Sequence, residues 1–429
     1  MTSPRTFDIG DLAIGVATAA TQVEGGDLAS SWHDFARQPR RIADGSTPVR
    51  ATEHWERWQE DTALMAQLGL QVYRMSVDWA RVEPSPGVID REALQHYRRE
   101  LEAVRSAGIE PLVSLHHFTN PTWLEAKGAW LQPAAVDRWL SFVEVVVREL
   151  GDVVTDWATI NEPNVYATQG YLFGEFPPGR SSALIAVRKV LRHMAIAHCR
   201  AYRLIHEIAP GSQVGLAHHV RAFVPFAPGN PAHRLAARFD AHIFQDVLTD
   251  AALGGRFARV IGGQPPGIAP GRYYDYVGIN YYTRSAVSGI GDGRRPDVAV
   301  NDLDWEIYPL GIVEVVAPIL ERYPGPVWVT ENGADDRQDR FRSRFIHDHL
   351  AAMVGSGLPF ERYYHWCFVD NWEWAEGWGP RFGIVGLDPA TQKRTVKESG
   401  HFVREIIANR GVTEEMYTRY VEPQRYRIA

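Results

Sequence analysis

Two cysteines, Cys199 and Cys367, are all that a chain of 429 residues contains. They cannot form a disulfide framework, and so few thiols point to a reducing compartment. No stretch approaches the roughly 18 consecutive apolar residues of a membrane span. The opening MTSPRTFDIG lacks the apolar core that a signal peptide needs. The expected location is the cytoplasm, with no membrane partner. A basic excess is missing as well: 45 Lys and Arg against 52 Asp and Glu give a net charge of −7, which offers no general attraction to nucleic acid or anionic lipid. No low-complexity segment or linker divides the chain. One domain over residues 1–429 is therefore expected, a length that α/β barrels routinely reach.

One unit recurs along the sequence: an amphipathic stretch, a glycine, then a β-rich run. Leu64, Met65 and Leu68 precede Gly69 and LQVYRMSVDW. Leu94, Tyr97, Leu101 and Val104 keep a helical spacing before Gly108 and IEPLVSLHHF. Val136, Trp139, Leu140, Val143, Val147 and Leu150 do so before Gly151 and VVTDWATINEP. Glycine just past a helix accepts the left-handed conformation that ends it. Further strands read as LAIGVAT (12–18), SQVGLAHH (212–219), YVGINYYT (276–283), PVWVTENG (326–333) and RYYHWCFVDN (362–371). Eight strands with helices between them predict a closed (β/α)8 barrel. An open doubly wound sheet is the alternative, but no Gly-rich phosphate loop follows the first strand. The irregular stretch from Ser285 to Asp304 reads as a surface loop after strand six.

In such a barrel the C-terminal strand ends converge on one pocket. Here they carry Gln22 and Glu24 after strand one, Arg74 and Trp79 on strand two, and His116 and His117 on strand three. Asn161 and Glu162 end strand four, Asn280 and Tyr282 strand six, Glu331 and Asn332 strand seven. Trp366, then Glu373 and Trp374, follow on strand eight. A lone glutamate after a strand is usually a solvated loop residue, but two in this company make a pair. Glycoside hydrolysis needs such a pair, an acid to protonate the departing oxygen and a carboxylate on the other face of the sugar. Fourteen tryptophans and 17 tyrosines suit stacking on sugar rings, although core packing explains much of that number. His116 and His117 are neighbours on a strand and point to opposite faces, which argues against a metal site.

The chain resembles glycoside hydrolase family 1, the β-glucosidases and their relatives, over nearly its full length. The resemblance is carried by GVATAATQVEGG, ERWQEDTALMAQLGLQVYRMSVDWARVEPSPG, SLHHFTNPTWL, TINEP, VGINYYT, VTENGA and DNWEWAEGWGPRFGIVGLD, in that order. It implies a retaining mechanism with Glu162 as acid/base and Glu331 as nucleophile. Arg74 and Tyr282 are expected beside Glu331, favouring its ionised form, so that Glu162 feels a negative neighbour and stays protonated. Asn161 is expected to bond the sugar 2-hydroxyl at the transition state, and Asn280 to support the transition state and nucleophile. By the same resemblance Gln22, His117, Glu373 and Trp374 bind hydroxyls, Trp366 floors the ring and Trp305 lines the aglycone side. His116 is expected to pack behind His117, Cys367 to be a buried inert thiol, and the Trp366–Cys367 peptide to be cis. No cofactor and no metal are implied.

Glu373 stands where relatives that cleave 6-phosphoglycosides typically have a small polar residue, and its charge, with that of Glu376, is expected to repel a phosphate. The expected substrate is a small-molecule β-glycoside of an unphosphorylated sugar: an exo-β-glucosidase accepting some β-galactosides or β-fucosides. A 6-phospho-β-glycosidase and a catalytically silent sugar-binding barrel are the alternatives. Phe118, Phe176 and Trp372 depart from residues frequent in relatives, and Trp378 is placed near the entrance; these positions bear on substrate preference.

Overall fold

Each sequence repeat becomes one strand and its covering helix. The computed structural model describes residues 4–289 and 293–429. The central strands are β1 (Ala13–Ala17), β2 (Val72–Ser76), β3 (Glu110–Ser114), β4 (Asp156–Asn161), β5 (Gln213–Pro225), β6 (Val277–Val287), β7 (Val327–Asn332) and β8 (Phe360–Trp366). They run parallel in chain order and close into a barrel as β8 pairs with β1, Trp366 opposite Ala17. Strands covered on both faces must be apolar nearly throughout, and every residue of VWVTEN in β7 is buried. The covering helices are α1 (His54–Gln67), α2 (Arg91–Ser106), α3 (Ala134–Leu150), α4 (Leu184–Ile208), α5 (Pro231–Ala241), α6 (Val247–Gly254), α7 (Gly311–Arg322), α8 (Arg342–Gly355) and α9 (Glu398–Asn409).

Helix α2 shows how sequence sets the pattern. The Asp90 side chain accepts the Ala93 amide at 2.9 Å and starts the helix. Leu94, Tyr97, Leu101 and Val104 are wholly inaccessible, and each contributes about 1.5–3 kcal/mol over an exposed position. Gly108, at φ +79, stops it. Gly69 ends α1 in the same left-handed way, but Gly151 does not: its φ is −71. A Cβ at Gly151 would lie 2.5 Å from the Val147 carbonyl oxygen, so crowding and not handedness demands glycine there.

Two strands outrun their sequence limits. β5 continues to Pro225 and β6 to Val287, pairing Phe223 with Ser285 and Pro225 with Val287. The stretch read as a loop from Ser285 thus begins as strand, and Ala299–Val300 pairs with Arg427–Ile428 near the C-terminus. Residues 290–292 of that stretch lie outside the described residues. Helix α8 supplies a brace that hydrophobic patterning does not reveal. Arg342, inaccessible, donates to the carbonyls of Ala334 and Asp336 after β7 and of Arg381 and Phe382 after β8. Among the described residues no helix is long and apolar enough to cross a membrane.

Candidate active site

The strand ladder becomes irregular where the polar residues stand. Register shifts fall between Ala158 and Asn161 on β4, Ile279 and Asn280 on β6, and Tyr363 and His365 on β8. Such shifts turn side chains off strict alternation, and Asn280 becomes the register partner of Glu331. Glu162 leaves β4 at φ 42 and ψ 62, a left-handed conformation costing a non-glycine residue on the order of 1–3 kcal/mol. Pro163 then opens the short helix Pro163–Thr168. Phe118 (φ 64) and Trp374 (φ 51) are held in the same region. All three line one cavity of about 310 Å³ at the C-terminal end of the barrel, as do Glu331 and Trp366. Gly333 permits this convergence: a Cβ there would sit 1.9 Å from the Trp366 carbonyl oxygen.

Around Glu331 the donors are cationic and phenolic. Arg74 Nη1 forms a short ion pair with Oε1, and the Tyr282 hydroxyl donates to Oε2 at 2.5 Å. Arg74 is wholly buried and fully engaged, donating also to Ser114 Oγ at 3.0 Å and Asn161 Oδ1 at 2.7 Å. Asn161 Oδ1 further accepts from Asn280 at 3.0 Å, and its amide donates to His117 Nε2 at 3.1 Å. With Nε2 accepting, the proton of His117 is on Nδ1, which is buried without a protein partner. Burial and the Arg74 charge push His117 well below the ordinary histidine value, so it stays neutral.

Around Glu162 the donors are different. Asn280 Nδ2 donates to Oε1 at 2.8 Å, and His219 Nδ1 lies 3.0 Å from the same oxygen. His219 is absent from the residues named above, although it ends SQVGLAHH as His117 ends SLHH. Alternation sends His218 outward to Thr249, at 3.0 Å, and His219 into the cavity.

The other expected residues divide cleanly. Gln22 donates to Asn371, to the Trp372 carbonyl and, at 3.1 Å, to Glu373; its Oε1 is buried with no protein partner. Trp366, Glu373 and Trp374 line the cavity, and His117 stacks on both indole rings, at 5.9 and 5.8 Å. Trp305 is 40% exposed at the rim, 6.0 Å from the Tyr282 ring. The Trp366–Cys367 peptide is cis. Both thiols are buried, which pushes them above the ordinary thiol range. Glu24 lies elsewhere, paired with Arg81 at 2.7 Å and with Tyr97. Trp79 stacks on Phe142 at 5.4 Å in the core. His116 packs edge-on to Trp130, and Asn332 bonds to the Tyr281 carbonyl and Tyr363. Trp378 does not line the cavity; its amide donates to Asp44. The departures Phe118 and Phe176 meet Trp374 at 5.3 and 6.1 Å, with Trp32 joining Phe176 to Trp372, so these changes are packed against one another. Among the described residues no group of three or more His, Cys, Asp or Glu is arranged to hold a metal.

The proton order of the pair differs from the expectation. Burial pushes Glu331 up to about 7, with Arg74 opposing and the charge of Glu162 adding to the rise. Burial also pushes Glu162 upward, but a charged His219, its hydrogen bond, Asn280 and Arg74 outweigh that and hold it below the ordinary carboxylate range. This order requires an imidazolium at His219. Arg221 Nε, which can only donate, lies 3.0 Å from His219 Nε2, so the geometry makes the ring neutral with its proton on Nδ1. A neutral ring keeps the bond to Glu162 and removes the cation, which favours the proton on Glu162. Glu373 also departs from the expectation of a fixed negative charge. Burial and the charge of Glu331 push it up to about 8, so near neutral pH it is a carboxylic acid.

Comparison with known proteins gives the family. The family model "Glycosyl hydrolase family 1" matches residues 5–265 and 268–412. "Beta-glucosidase A" of Thermotoga maritima is 32% identical over 437 aligned positions, covering 93% of this chain and 97% of that protein. A beta-glucosidase of Agrobacterium sp. is 30% identical, covering 93% of this chain and 96% of its own length. The solved structure of the Thermotoga maritima beta-glucosidase with glucoimidazole superposes with a TM-score of 0.88 at 29% identity, over 96% of this chain and all of that one.

Proposed function

The chain belongs to glycosyl hydrolase family 1, a family of retaining glycosidases, and from that premise we propose an exo-β-glucosidase that uses Glu162 and Glu331 in a double displacement. The observation that carries this reading is the unequal furnishing of two buried carboxylates facing one cavity. Glu331 has a guanidinium and a phenol, groups that stabilise a carboxylate nucleophile. Glu162 has an amide and an imidazole, both on Oε1, which leaves Oε2 to carry a proton. In the first step Glu331 attacks the anomeric carbon from the α face while Glu162 protonates the departing oxygen. In the second, Glu162 takes a proton from water, which attacks the β face and releases Glu331. The remaining N–H of Asn161 is the donor for the 2-hydroxyl, held in place by Arg74, Asn280 and His117. Gln22 Oε1 and His117 Nδ1 supply one acceptor and one donor for further hydroxyls. Trp366 and Trp374 offer flat apolar faces to the ring, Trp305 one to the aglycone, and residues 1–429 act as one catalytic unit.

The rate should follow a bell in pH. Between the two titrations the pair holds one proton, which is the active state. Above the upper titration, which burial and the like charge of the two carboxylates raise beyond the ordinary carboxylate range, that proton is lost and the general acid with it; below the lower titration both groups are protonated and the nucleophile is gone. The pH dependence of kcat/KM on 4-nitrophenyl β-glucoside should fall on the alkaline side above the ordinary carboxylate range. A flat profile to pH 9 would show that the pair does not govern turnover.

Selectivity against a 6-phosphate rests on missing cations more than on like charge. Near Glu373 the cavity presents Trp366, Trp374 and Glu376, and the one cation among its described lining residues is Arg221 on β5. A phosphate stripped of water without a cation beside it costs several kcal/mol. The decisive assay is kcat/KM on 4-nitrophenyl β-glucoside, galactoside, fucoside and glucoside 6-phosphate. The glucoside should exceed the 6-phosphate by roughly 100-fold or more, given that cost. A preference for the phosphorylated sugar would overturn the substrate reading.

A further inference from the structure

His219 has a chain of contacts that the double displacement itself does not require. Its Nδ1 faces Glu162 Oε1 at 3.0 Å and its Nε2 faces Arg221 Nε at 3.0 Å. The ring lies parallel to Tyr282, 6.0 Å away, and Phe244 closes its other side edge-on at 5.8 Å. The Arg221 guanidinium is seated over the same Phe244 ring, at 5.5 Å. Imidazole and guanidinium thus both pack on one aromatic residue, Phe244, in the segment between α5 and α6. Because guanidinium nitrogens only donate, Nε2 must accept, and the single proton of the ring is directed at the carboxylate.

We propose that His219 is a positioning residue for the acid/base: locked by Arg221 as the Nδ1–H tautomer, it anchors Glu162 Oε1 and confines the transferable proton to Oε2. The inference rests on Glu162 being the acid/base. In the glycosylation step the Oε2–H bond breaks as the departing oxygen gains the proton, and His219 neither gains nor loses one. In the second step water returns a proton to Oε2 while Nδ1–H still holds Oε1. The other charged or titratable groups facing this pair or lining its cavity are Arg74 from β2, His117 from β3, Glu175, Tyr282 from β6, Glu331 from β7, and Glu373 and Glu376 beyond β8. Of these, Arg74 is committed to Glu331 and Asn161, so His219 is the ring that bonds Glu162 directly.

Two replacements should move the alkaline limb of the kcat/KM profile upward. His219→Phe removes the donor that stabilises the Glu162 anion, and the limb should rise by about one pH unit, the size of one hydrogen bond to a charged group. Arg221→Met removes the donor that confines the ring proton to Nδ1 and takes a cation away from the Glu162 anion, so it should also raise the limb. His219→Asn, whose amide can donate from the Nδ1 position, should restore the parent profile. His219→Phe should also slow an alkyl β-glucoside, which needs protonation, roughly 10-fold or more, and leave 2,4-dinitrophenyl β-glucoside within about 3-fold. Equal losses on both substrates, or limbs that stay in place, would reduce His219 to a packing residue and overturn the proposal. The azide product of Glu162→Ala, described below, separates that outcome from a wrong acid/base: if that variant yields β-glucosyl azide and the limbs do not move, this inference alone fails.

Discussion

Glu331→Gly should lose turnover by roughly 10⁴–10⁶-fold, the scale on which removal of an activated nucleophile acts. The loss follows from geometry. Arg74 and Tyr282 hold both carboxylate oxygens, and no other described carboxylate shares that pair of donors. Cutting the side chain back leaves those two donors around a small gap, a site matched to a small anion. Azide or formate should therefore restore part of the activity on 2,4-dinitrophenyl β-glucoside. Azide entering from the α face forms the C1–N bond as the phenolate leaves, so the product should be α-glucosyl azide, inverted from the substrate. Normal activity in the variant, or rescue giving the β-azide, would remove Glu331 from the nucleophile's role.

Glu162→Ala should divide substrates by their leaving groups. An alkyl β-glucoside needs its oxygen protonated and should fall roughly 10²–10⁴-fold. 2,4-Dinitrophenolate leaves unaided, so the first step on that glucoside should persist while hydrolysis of the glycosyl-enzyme stalls for want of a base. Azide needs no base: it attacks the β face, the bond from C1 to the Glu331 oxygen breaks, and β-glucosyl azide should accumulate. The two variants thus give azides of opposite configuration from one substrate. An equal loss on both leaving groups would mean that Glu162 serves binding or folding and not proton transfer.

Much of this was legible in the sequence because a parallel barrel ties position in the chain to position in space. Where the apolar period changes from helical to continuous, as at Gly108, a strand follows, and what stands at its end must face the common pocket. That rule brought Glu162, Glu331, Arg74, Asn161, Asn280, Tyr282, His117, Trp366 and Glu373 into one region without a coordinate. It misplaced Glu24 and Trp79, which lie one turn beyond their strands, where helix geometry directs them to Arg81 and to Phe142. It also passed over His219, since the HH that closes SQVGLAHH reads like any buried histidine pair until the register shows which ring faces inward.

By itself, the sequence determined the order of strands and helices, the (β/α)8 closure, and the presence of two glutamates at strand ends, because these depend on local periodicity and on turn chemistry. Only the tertiary structure decided where the protons sit. A carboxyl in a dry cavity answers to charges a few ångströms away on other strands, and those distances are set by barrel closure and the register shifts. So Glu331 rises to about 7 despite Arg74, Glu373 rises to about 8, and Glu162 takes its state from a histidine 57 residues further along the chain. Periodicity says which side chains share a pocket; the Coulomb and desolvation energies that set the two carboxyls apart come from their placement within it.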